Sequence, residues 1–265
     1  MTIENIDIRK LILKMTGSAG AAHIATSLSE VEILNAIYKS MDVEKIKNQS
    51  ADRDRLVLDK GHGAAGLYAV LFKHGILSKQ DIDSFFSDNS VLAGLASHSV
   101  HGVEHSTGSL GHGLPVALGM ALGSRSKGYK NRIFAVVSDG GLHEGASWEA
   151  IMYAGHQSLS NFCLMIDNNG KTMTGNTDDE CSLDPLKDKF KAFGYNAFEV
   201  NGHDESEILR IIETTSNSNI PVAVICNTVK GKGISFMENN LDWHYRPAQG
   251  EDFDRALAEL EEKDL

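Results

Sequence analysis

The sequence IFAVVSDGG occupies residues 133–141, and NFCLMIDNNG occupies residues 161–170. Each begins with an apolar run of strand length and ends in polar residues and glycine. Similar apolar runs cover residues 56–58, 197–200 and 222–226, and helix-length segments separate them. Such an alternation is typical of βαβ units around a buried parallel sheet. The sequence therefore predicts an α/β fold, a parallel sheet flanked by helices.

Helices are predicted before, between and after these strands. They cover residues 64–72, 114–123, 144–156, 183–193, 205–214 and 251–265, together with two helices near the N terminus. Ser29 and Glu32 have the spacing of a capping box, which would open the second N-terminal helix. The sequence contains only 4 prolines and no low-complexity linker. We therefore expect residues 1–265 to form a single domain.

The composition argues against several classes of protein. The chain has 265 residues, with 25 Lys and Arg against 36 Asp and Glu, so its formal charge is −11. A nucleic-acid binder needs clustered cations, and a membrane-spanning helix needs an apolar run of roughly 20 residues; the sequence shows neither. The charged N-terminal segment also differs from a secretory signal. We therefore expect a soluble, cytoplasmic protein.

Cysteine usage agrees with that expectation. Cys163, Cys181 and Cys226 are an odd number and lie far apart in the sequence, which excludes a disulfide framework. Two of them lie in apolar runs. They are expected to be buried free thiols in a reducing compartment.

Polar residues after two of the strands predict a metal-bridged phosphate site. Ligands of open parallel sheets bind beyond the carboxyl ends of the strands. Asp139 and Asn169 stand at two such ends, 30 positions apart, which is the length of one βαβ unit. If the strands are neighbours, about 5 Å apart, both side chains reach one ion, and Mg²⁺ prefers such oxygen ligands. Taken singly, each is also explained as an ordinary Asp-Gly or Asn-Gly turn.

A second cluster is rich in histidine and glycine. His98, His101 and His105 have a spacing that resembles zinc ligation, and His112 follows them. Four glycines within residues 102–113 favour a different interpretation, namely a loop pressed against a ligand or another backbone.

Three further histidines stand beside small or polar residues. They are His23, His62 and His244. Histidine titrates near neutrality, so together they suggest a set of residues that handles protons.

One pair of motifs is typical of a cofactor class. Asp139-Gly140 and Asn168-Asn169 resemble the motif by which thiamine diphosphate enzymes hold Mg²⁺ and the diphosphate of the cofactor. The motif alone leaves the subfamily open.

Several segments together resemble the transketolase family. The similarity runs from about residue 15 to residue 247. It is carried by RDRLVLDKGH at 53–62, GVEHSTGSLG at 102–111, DGGLHEGASWE at 139–149, TVKGKGISFME at 228–238 and Trp243-His244.

The resemblance implies two cofactors, thiamine diphosphate and Mg²⁺. By position, the metal ligands would be Asp139, Asn169 and the backbone carbonyl of Lys171. The residues expected at the cofactor are His62, Gly108, Ser109, Leu110, Gly140, Asn169 and His244. The expected catalytic residues are His23, His62, His98, His244 and Glu144, of which Glu144 would lie at the contact between subunits.

The resemblance also implies an activity and a partner. Transketolases move a two-carbon ketol unit from a ketose to an aldose, often as sugar phosphates, and are longer than this chain in their fused form. The chain is therefore expected to be the N-terminal, diphosphate-binding subunit of a split enzyme. A separate C-terminal subunit would supply the pyrimidine-binding and C-terminal domains, in an α2β2 heterotetramer, and this chain alone would be inactive.

Three alternatives remain open at this point. The chain could be another thiamine diphosphate enzyme subunit, similar to deoxyxylulose-phosphate synthase or to the E1 component of 2-oxoacid dehydrogenases. It could be a zinc-dependent hydrolase that uses His98, His101 and His105. It could also be a non-catalytic binding subunit, since Ser138 and Ala22 stand where the transketolase family usually has glycine, as Ala25 also does.

Overall fold

Five parallel strands form one sheet in the computed structural model, which describes residues 1–264. The strands are β1 Arg55–Leu58, β2 Ile133–Ser138, β3 Phe162–Asn168, β4 Asn196–Asn201 and β5 Val222–Asn227. Their order across the sheet is β1-β2-β3-β5-β4, and every neighbouring pair is parallel. The predicted α/β fold is confirmed, and the run at residues 56–58 joins the sheet as an edge strand.

Within residues 1–264, twelve α-helices connect and cover the strands. They are α1 Ile3–Ala19, α2 Ile24–Ser29, α3 Val31–Ser40, α4 Val43–Lys47, α5 Ala64–Lys73, α6 Lys79–Asp83, α7 Gly113–Ser126, α8 Gly145–His156, α9 Thr177–Cys181, α10 Leu186–Ala192, α11 Glu205–Thr214 and α12 Glu251–Glu262. None of the helices within residues 1–264 is long and apolar enough to cross a membrane. The last residue of the predicted C-terminal helix, 265, lies outside the described residues.

Side-chain alternation along the strands produces two apolar layers. Leu56 and Phe134 face the layer that contains α1, α3, α5 and α11, whereas Val57 and Ala135 face the layer that contains α7, α8 and α10. Successive side chains of a strand point to opposite faces, so a sheet covered on both sides needs apolar residues at nearly every position. This requirement explains the continuous apolar runs in the sequence.

The predicted capping box is wrong. Helix α3 begins at Val31, directly after α2, and no side chain caps its first turn. Ser29 instead donates from Oγ to Asp167 Oδ2 at 2.7 Å, and the Glu32 carboxylate accepts from Arg9. Tertiary partners therefore take the two side chains that local spacing had assigned to the helix end.

The predicted helix at residues 183–193 is shorter than expected. It begins at Leu186, with Pro185 as its N-cap, and the separate short helix α9 precedes it. Proline disfavours helical backbone at the residue before it, so the helix cannot extend back through Asp184.

The expectation of free thiols is confirmed for all three cysteines, and burial is confirmed for two of them. All three cysteines are free; Cys163 and Cys226 are buried within the apolar layers, and Cys181 is exposed. Burial raises the pKa of the Cys163 thiol to about 12, so it stays protonated at neutral pH.

A buried ion pair joins the N-terminal helices. The Arg9 guanidinium donates from Nη1 and Nη2 to the two carboxylate oxygens of Glu32, at 2.7 and 2.8 Å, and both side chains are fully buried. His203 Nδ1 lies 3.0 Å from Glu32 Oε2. Burial alone would raise the pKa of Glu32, but Arg9 and His203 outweigh it and hold this pKa at about 2. The pair connects α1, α3 and the turn after β4.

Candidate active site

The ends of two adjacent strands bring Asp139 and Asn169 together. Strands β2 and β3 are neighbours, with Ser138 opposite Asp167, so the residues that follow them stand at the same edge of the sheet. The loops also contact each other, because Gly170 N donates to Asp139 Oδ2 at 2.6 Å. The condition that the sequence set for a shared ion site, neighbouring strands, is met.

Asp139 is a buried carboxylate whose hydrogen-bond donors are backbone amides. It has no exposed surface, and Gly140 N donates to its Oδ1 at 2.9 Å. Burial, reinforced by the nearby Asp167 carboxylate, raises the pKa of Asp139 to about 6, while the amides of Gly140 and Gly170 partly offset this. A carboxylate desolvated in this way is a suitable ligand for a cation, which restores the lost charge stabilisation.

A hydrogen bond fixes the amide orientation of Asn169. Its Nδ2 donates to Asp167 Oδ2 at 3.4 Å, and its Oδ1 accepts from Lys171 N at 3.1 Å. Carboxylate, amide and backbone carbonyl oxygens are the donors that Mg²⁺ prefers in proteins. The donor set of Asp139, Asn169 and Lys171 therefore fits a hard divalent cation.

A fully buried charge network supports this edge of the sheet. Lys60 Nζ contacts Asp167 Oδ2, lies 3.1 Å from Glu30 Oε2 and donates to Thr26 O at 3.1 Å. Burial lowers the pKa of Lys60, but its two carboxylate partners outweigh burial and raise this pKa to about 12. Thr228 Oγ1 also donates to Asp167. The network fixes the loop after β1 relative to the end of β3.

Asp59 anchors the glycine-rich segment that precedes α7. Its Oδ1 accepts from Gly113 N at 2.7 Å and from Leu114 N at 3.1 Å, and its Oδ2 accepts from Gly111 N at 3.2 Å. Gly111 has φ of +77°, and a Cβ there would lie 2.4 Å from Glu144 Cβ. The sequence predicts a loop pressed against a ligand or another backbone. A backbone neighbour is present at Gly113, where an added Cβ would lie 2.9 Å from Asp59 Cα, whereas the neighbour of Gly111 is the Glu144 side chain.

Serine and alanine at three family glycine positions cause no backbone strain. Ser138, Ala22 and Ala25 are absent from the residues with positive φ, whereas His23 has φ of 67°. Ser138 lies within β2, and its Oγ accepts from Gly141 N at 3.0 Å. These substitutions therefore give no support to the alternative of a non-catalytic chain.

A cavity of about 450 Å³ opens above Asn169. Most of the residues expected from the sequence line it. These residues are His23, His62, Gly108, Leu110, Gly140, Glu144, Asn169, Lys171 and His244. Asp139 is buried beneath Gly140 rather than at the cavity wall, and Ser109 is exposed beside it.

Three histidines meet on one side of the cavity. The ring centroid of His23 is 5.3 Å from that of His62 and 5.2 Å from that of His244. Burial lowers the pKa of all three imidazoles. The pKa of His62 lies well below its usual value, and that of His244 is about 4, because the Lys230 ammonium adds to the effect of burial. All three are therefore neutral at neutral pH and carry one donor and one acceptor nitrogen each. The Nδ1 atom of His23 is buried and has no hydrogen-bond partner within residues 1–264.

The structure does not bring His98 into this group. Its Nδ1 lies 2.7 Å from Ser106 Oγ, and it lines a separate depression of about 360 Å³ with His101 and Arg53. The resemblance to transketolases had placed it among the catalytic residues with the other histidines. The loop turns its ring toward Ser106 instead.

The zinc-site alternative is wrong for the described part of the chain. Within residues 1–264, no group of three or more His, Cys, Asp or Glu side chains is arranged to hold a metal ion. His101 Nδ1 lies 3.3 Å from Gln49 Nε2. The spacing of His98, His101 and His105 therefore does not produce a cluster.

Sequence reasoning missed several residues that build the site. Asp59, Lys60, Asp167 and Lys230 are all buried and polar, yet they were treated only as parts of longer motifs. One signal was available: a charged residue at the end of an apolar strand must find a partner, as Asp167 does at the end of β3. Which partner it finds is not encoded locally.

A parallel sheet with a carboxylate and an amide at adjacent strand ends, below a histidine-lined cavity, is the architecture of a thiamine diphosphate-binding domain. The family model described as transketolase, thiamine diphosphate binding domain, matches residues 3–260. The chain belongs to the transketolase family, and the family predicted from the sequence is confirmed.

Similar proteins include separate transketolase subunits of about the same length. The chain is 35% identical to one of the apulose-4-phosphate transketolase subunits of Actinobacillus succinogenes, over 96% of this chain and 93% of the relative. It is 36% identical to 6-deoxy-6-sulfo-D-fructose transketolase subunit SqwG of a Clostridium species, over 97% of this chain and 94% of the relative.

Solved transketolases share the fold but are longer. The Campylobacter jejuni enzyme is 26% identical with a TM-score of 0.87, and the match covers 100% of this chain and 43% of that one. For the Leishmania mexicana enzyme the identity is 25% and the TM-score 0.87, over 98% of this chain and 41% of that one. The chain thus spans about two fifths of these solved enzymes.

Proposed function

We propose that this chain is the diphosphate-binding subunit of a split transketolase, which moves a two-carbon ketol unit from a ketose to an aldose with thiamine diphosphate and Mg²⁺. The observation that carries the proposal is the placement of Asp139 and Asn169 at adjacent strand ends below the histidine-lined cavity. The similarity, over nearly the whole chain, to proteins named as separate transketolase subunits supports a split enzyme.

The metal and the diphosphate would occupy the floor of the cavity. Asp139, Asn169 and the carbonyl of Lys171 would hold Mg²⁺. At Gly140 the nearest atom to an added Cβ is Ser138 Oγ at 3.7 Å, so the space beside this glycine is open and a side chain would fill it. Lys230 lies at the same cavity and supplies a cation for the anionic tail.

The histidines and glycines of the wall would hold the rest of the cofactor and the sugar. When bound, thiamine diphosphate supplies an electron sink for the two-carbon unit. His62 and His244 would stand near the reacting carbon and His23 near the donor ketose, each neutral and therefore able both to give and to accept a hydrogen bond. The pyrimidine side would be contacted at Gly108, Ser109 and Leu110.

A second polypeptide would complete the enzyme. Relatives named as single subunits of a transketolase imply a separate partner chain, and we propose an α2β2 heterotetramer in the cytoplasm. Glu144 is exposed where α8 begins, a position suited to the contact between subunits. Residues 1–265 would be one domain, and the partner would carry the pyrimidine-binding and C-terminal domains.

The proposal is tested by reconstitution. The chain is mixed with its partner chain, thiamine diphosphate and Mg²⁺, and ketol transfer is followed with panels of ketose and aldose phosphates and sulfonated sugars. We expect transfer only when both chains are present, because each contributes one face of the cofactor site. A complex that binds the cofactor but transfers no ketol unit from any donor would contradict the proposed function.

Lys230 predicts a pH dependence of cofactor binding. Burial, with the nearby Lys60, lowers the pKa of its ammonium to about 8, although Asp139 partly opposes the shift. The protonated form attracts the diphosphate, so above pH 8 the apparent affinity of the complex for thiamine diphosphate should fall by up to about tenfold per pH unit.

Variants isolate this contribution. Lys230→Met should weaken cofactor binding by about 10- to 100-fold, the range for a charge-assisted hydrogen bond, and should flatten the profile between pH 7 and 9.5. Lys232→Met is the matched control, since the Lys232 ammonium is paired with Glu238 at 3.3 Å. Calorimetry across this pH range measures the dissociation constant of thiamine diphosphate for each complex and therefore tests the prediction. A Lys230→Met complex that keeps the wild-type profile would assign the titration to another group.

A further inference from the structure

Tyr245 lies at the mouth of the cavity, outside the set of residues expected from the sequence. Its ring centroid is 4.6 Å from that of His244 and 5.2 Å from that of His23, both edge-on. The residue is nevertheless 56% exposed. The phenol oxygen lies 2.8 Å from Met173 Sδ, and Met173 is also 56% exposed. Two large side chains from distant segments therefore meet over the histidines.

The segment that carries Tyr245 is anchored on both sides. On one side, Trp243 is buried and His244 Nδ1 lies 3.0 Å from Lys230 Nζ. On the other side, the Arg246 guanidinium lies 4.7 Å from the Trp243 ring and pairs with Asp252. The backbone of Tyr245 therefore lies between two residues that have tertiary or local partners, and its ring lines the cavity.

The segment that carries Met173 is tied to the same anchor. Lys230 Nζ donates to Thr172 O at 3.3 Å, so one ammonium contacts both His244 and the residue before Met173. Thr172 N also donates to Gly175 O at 2.9 Å, which closes a tight turn around Met173. The contact between Tyr245 and Met173 therefore joins two supported segments rather than two free loops.

This chain's part of the cavity has the volume of an ordinary ligand pocket. Ligand pockets typically occupy about 300–1,000 Å³, and the 450 Å³ here must admit the reactive part of a cofactor as well as a sugar. A phenol ring at the mouth removes a substantial part of the room beside His23 and His244. A sugar whose reacting end lay beside His23 and His244 would have this ring as a neighbour of its remaining carbons.

We propose that Tyr245, held against Met173, determines substrate specificity by limiting the length of the sugar chain beside His23 and His244. The inference rests on the proposed ketol-transfer function. The Tyr245 ring disfavours the binding of long ketoses and leaves the binding of short ones unaffected. The hydroxyl contributes through its contact with the Met173 sulfur, a weak acceptor, so the bulk of the ring has the larger effect.

The kinetic test compares donors of different length in the assembled complex. The ratio of kcat/KM for a seven-carbon ketose phosphate to that for a five-carbon one should rise about tenfold in Tyr245→Ala, since pocket discrimination by small groups spans about 10–200-fold. Tyr245→Phe keeps the ring and should stay within about twofold of wild type, and Met173→Ala should give an intermediate ratio. A Tyr245→Ala ratio equal to that of wild type would overturn the proposal.

Tyr129→Ala is the matched control for these variants. Tyr129 lies in the turn between α7 and β2, before the amino end of β2, whereas the cavity lies at the carboxyl ends of the strands. Its replacement removes the same volume and should leave the ratio unchanged. A rise in Tyr129→Ala equal to that in Tyr245→Ala would show a general loosening of the protein and would also overturn the proposal.

A second measurement does not depend on turnover. Diethyl pyrocarbonate labels neutral imidazoles, and peptide mass spectrometry of the labelled complex gives a rate for each histidine. His23 and His244 should react several times faster in Tyr245→Ala than in wild type, while His98, in its separate depression, should react at the same rate. Unchanged labelling rates at His23 and His244 would show that the Tyr245 ring does not restrict access to this part of the cavity, and would overturn the proposal.

The two measurements separate two kinds of failure. A wild-type complex that transfers no ketol unit rejects the proposed function, whatever the labelling shows. A wild-type complex that transfers ketol units, with a ratio insensitive to Tyr245→Ala, leaves the proposed function intact and rejects the role of Tyr245.

Discussion

Asp139→Ala is expected to abolish the stabilisation that thiamine diphosphate and Mg²⁺ give to the assembled complex. A ligand at 100 times its dissociation constant stabilises the native state by about 2.7 kcal/mol, which raises the Tm of a domain near this size by roughly 5–11 °C. The variant loses the only carboxylate in the proposed ligand set of Asp139, Asn169 and the Lys171 carbonyl. Its melting temperature should rise by less than about 2 °C under the same conditions.

The structure also predicts how the variant behaves without ligands. Burial raises the pKa of Asp139 to about 6, so keeping this carboxylate ionised without a cation costs folding free energy. The variant loses two hydrogen bonds from Gly140 and Gly170 but also this unfavourable burial, and its unliganded stability should change little. Asp188→Ala, at an exposed position of α10, is the control. An undiminished ligand-induced rise in the Tm of Asp139→Ala would show that the metal site does not include Asp139.

Glu32→Gln is expected to destabilise the chain by about 3–5 kcal/mol, because it leaves the fully buried Arg9 guanidinium without its counter-charge. At about 2–4 °C per kcal/mol, the Tm should fall by roughly 6–20 °C. Urea unfolding of the wild type and the variant gives the free energy directly. The double variant Arg9→Met with Glu32→Leu should recover much of the loss, since an apolar pair of similar size needs no charge compensation.

The pH dependence of unfolding provides a second signature of this pair. The pKa of Glu32 is about 2 in the folded chain and is near 4.5 when unperturbed. A lowered carboxyl pKa stabilises the folded state at pH values above 4.5, and that stability is lost as the pH falls toward 2. Glu32→Gln should therefore show a shallower loss of stability in this acid range than wild type.

A surface pair supplies the comparison. Glu44→Gln breaks the contact with Lys47, in which the Glu44 side chain is 74% exposed, and should cost less than about 1 kcal/mol. A loss of stability in Glu32→Gln as small as that in Glu44→Gln would contradict the prediction, because it would mean that water or another anion compensates the Arg9 guanidinium.

The location of the site could be predicted from the sequence with little loss. Asp139 and Asn169 directly follow strands, and the carboxyl ends of parallel strands meet at one edge, so no long-range information was needed beyond the order of the strands. His23, His62 and His244 were identified individually, and the structure brings them within 5.2 to 6.2 Å of one another.

Residues that hold the site in place were not predictable in the same way. Lys60 contacts Asp167 across 107 positions of sequence, and Asp59 binds amides 52 to 55 positions away. His98 illustrates a different limit, because the resemblance to transketolases placed it among the catalytic residues, whereas its Nδ1 lies beside Ser106 in a separate depression. A local sequence pattern does not indicate which residues come into contact when they are so far apart in the sequence.

By itself, the sequence determined the parallel sheet, its two apolar layers, the strand ends at which the candidate site lies and the transketolase family. Those features follow from side-chain alternation and from residues that are adjacent in the chain. Only the tertiary structure decided which polar and charged groups pair inside the protein: Ser29 and Glu32 fit a helix cap by spacing, yet they bind Asp167 and Arg9. The physical reason is that a buried charge must be neutralised by whichever partner the packed helices bring near, and that partner is chosen by the fold as a whole.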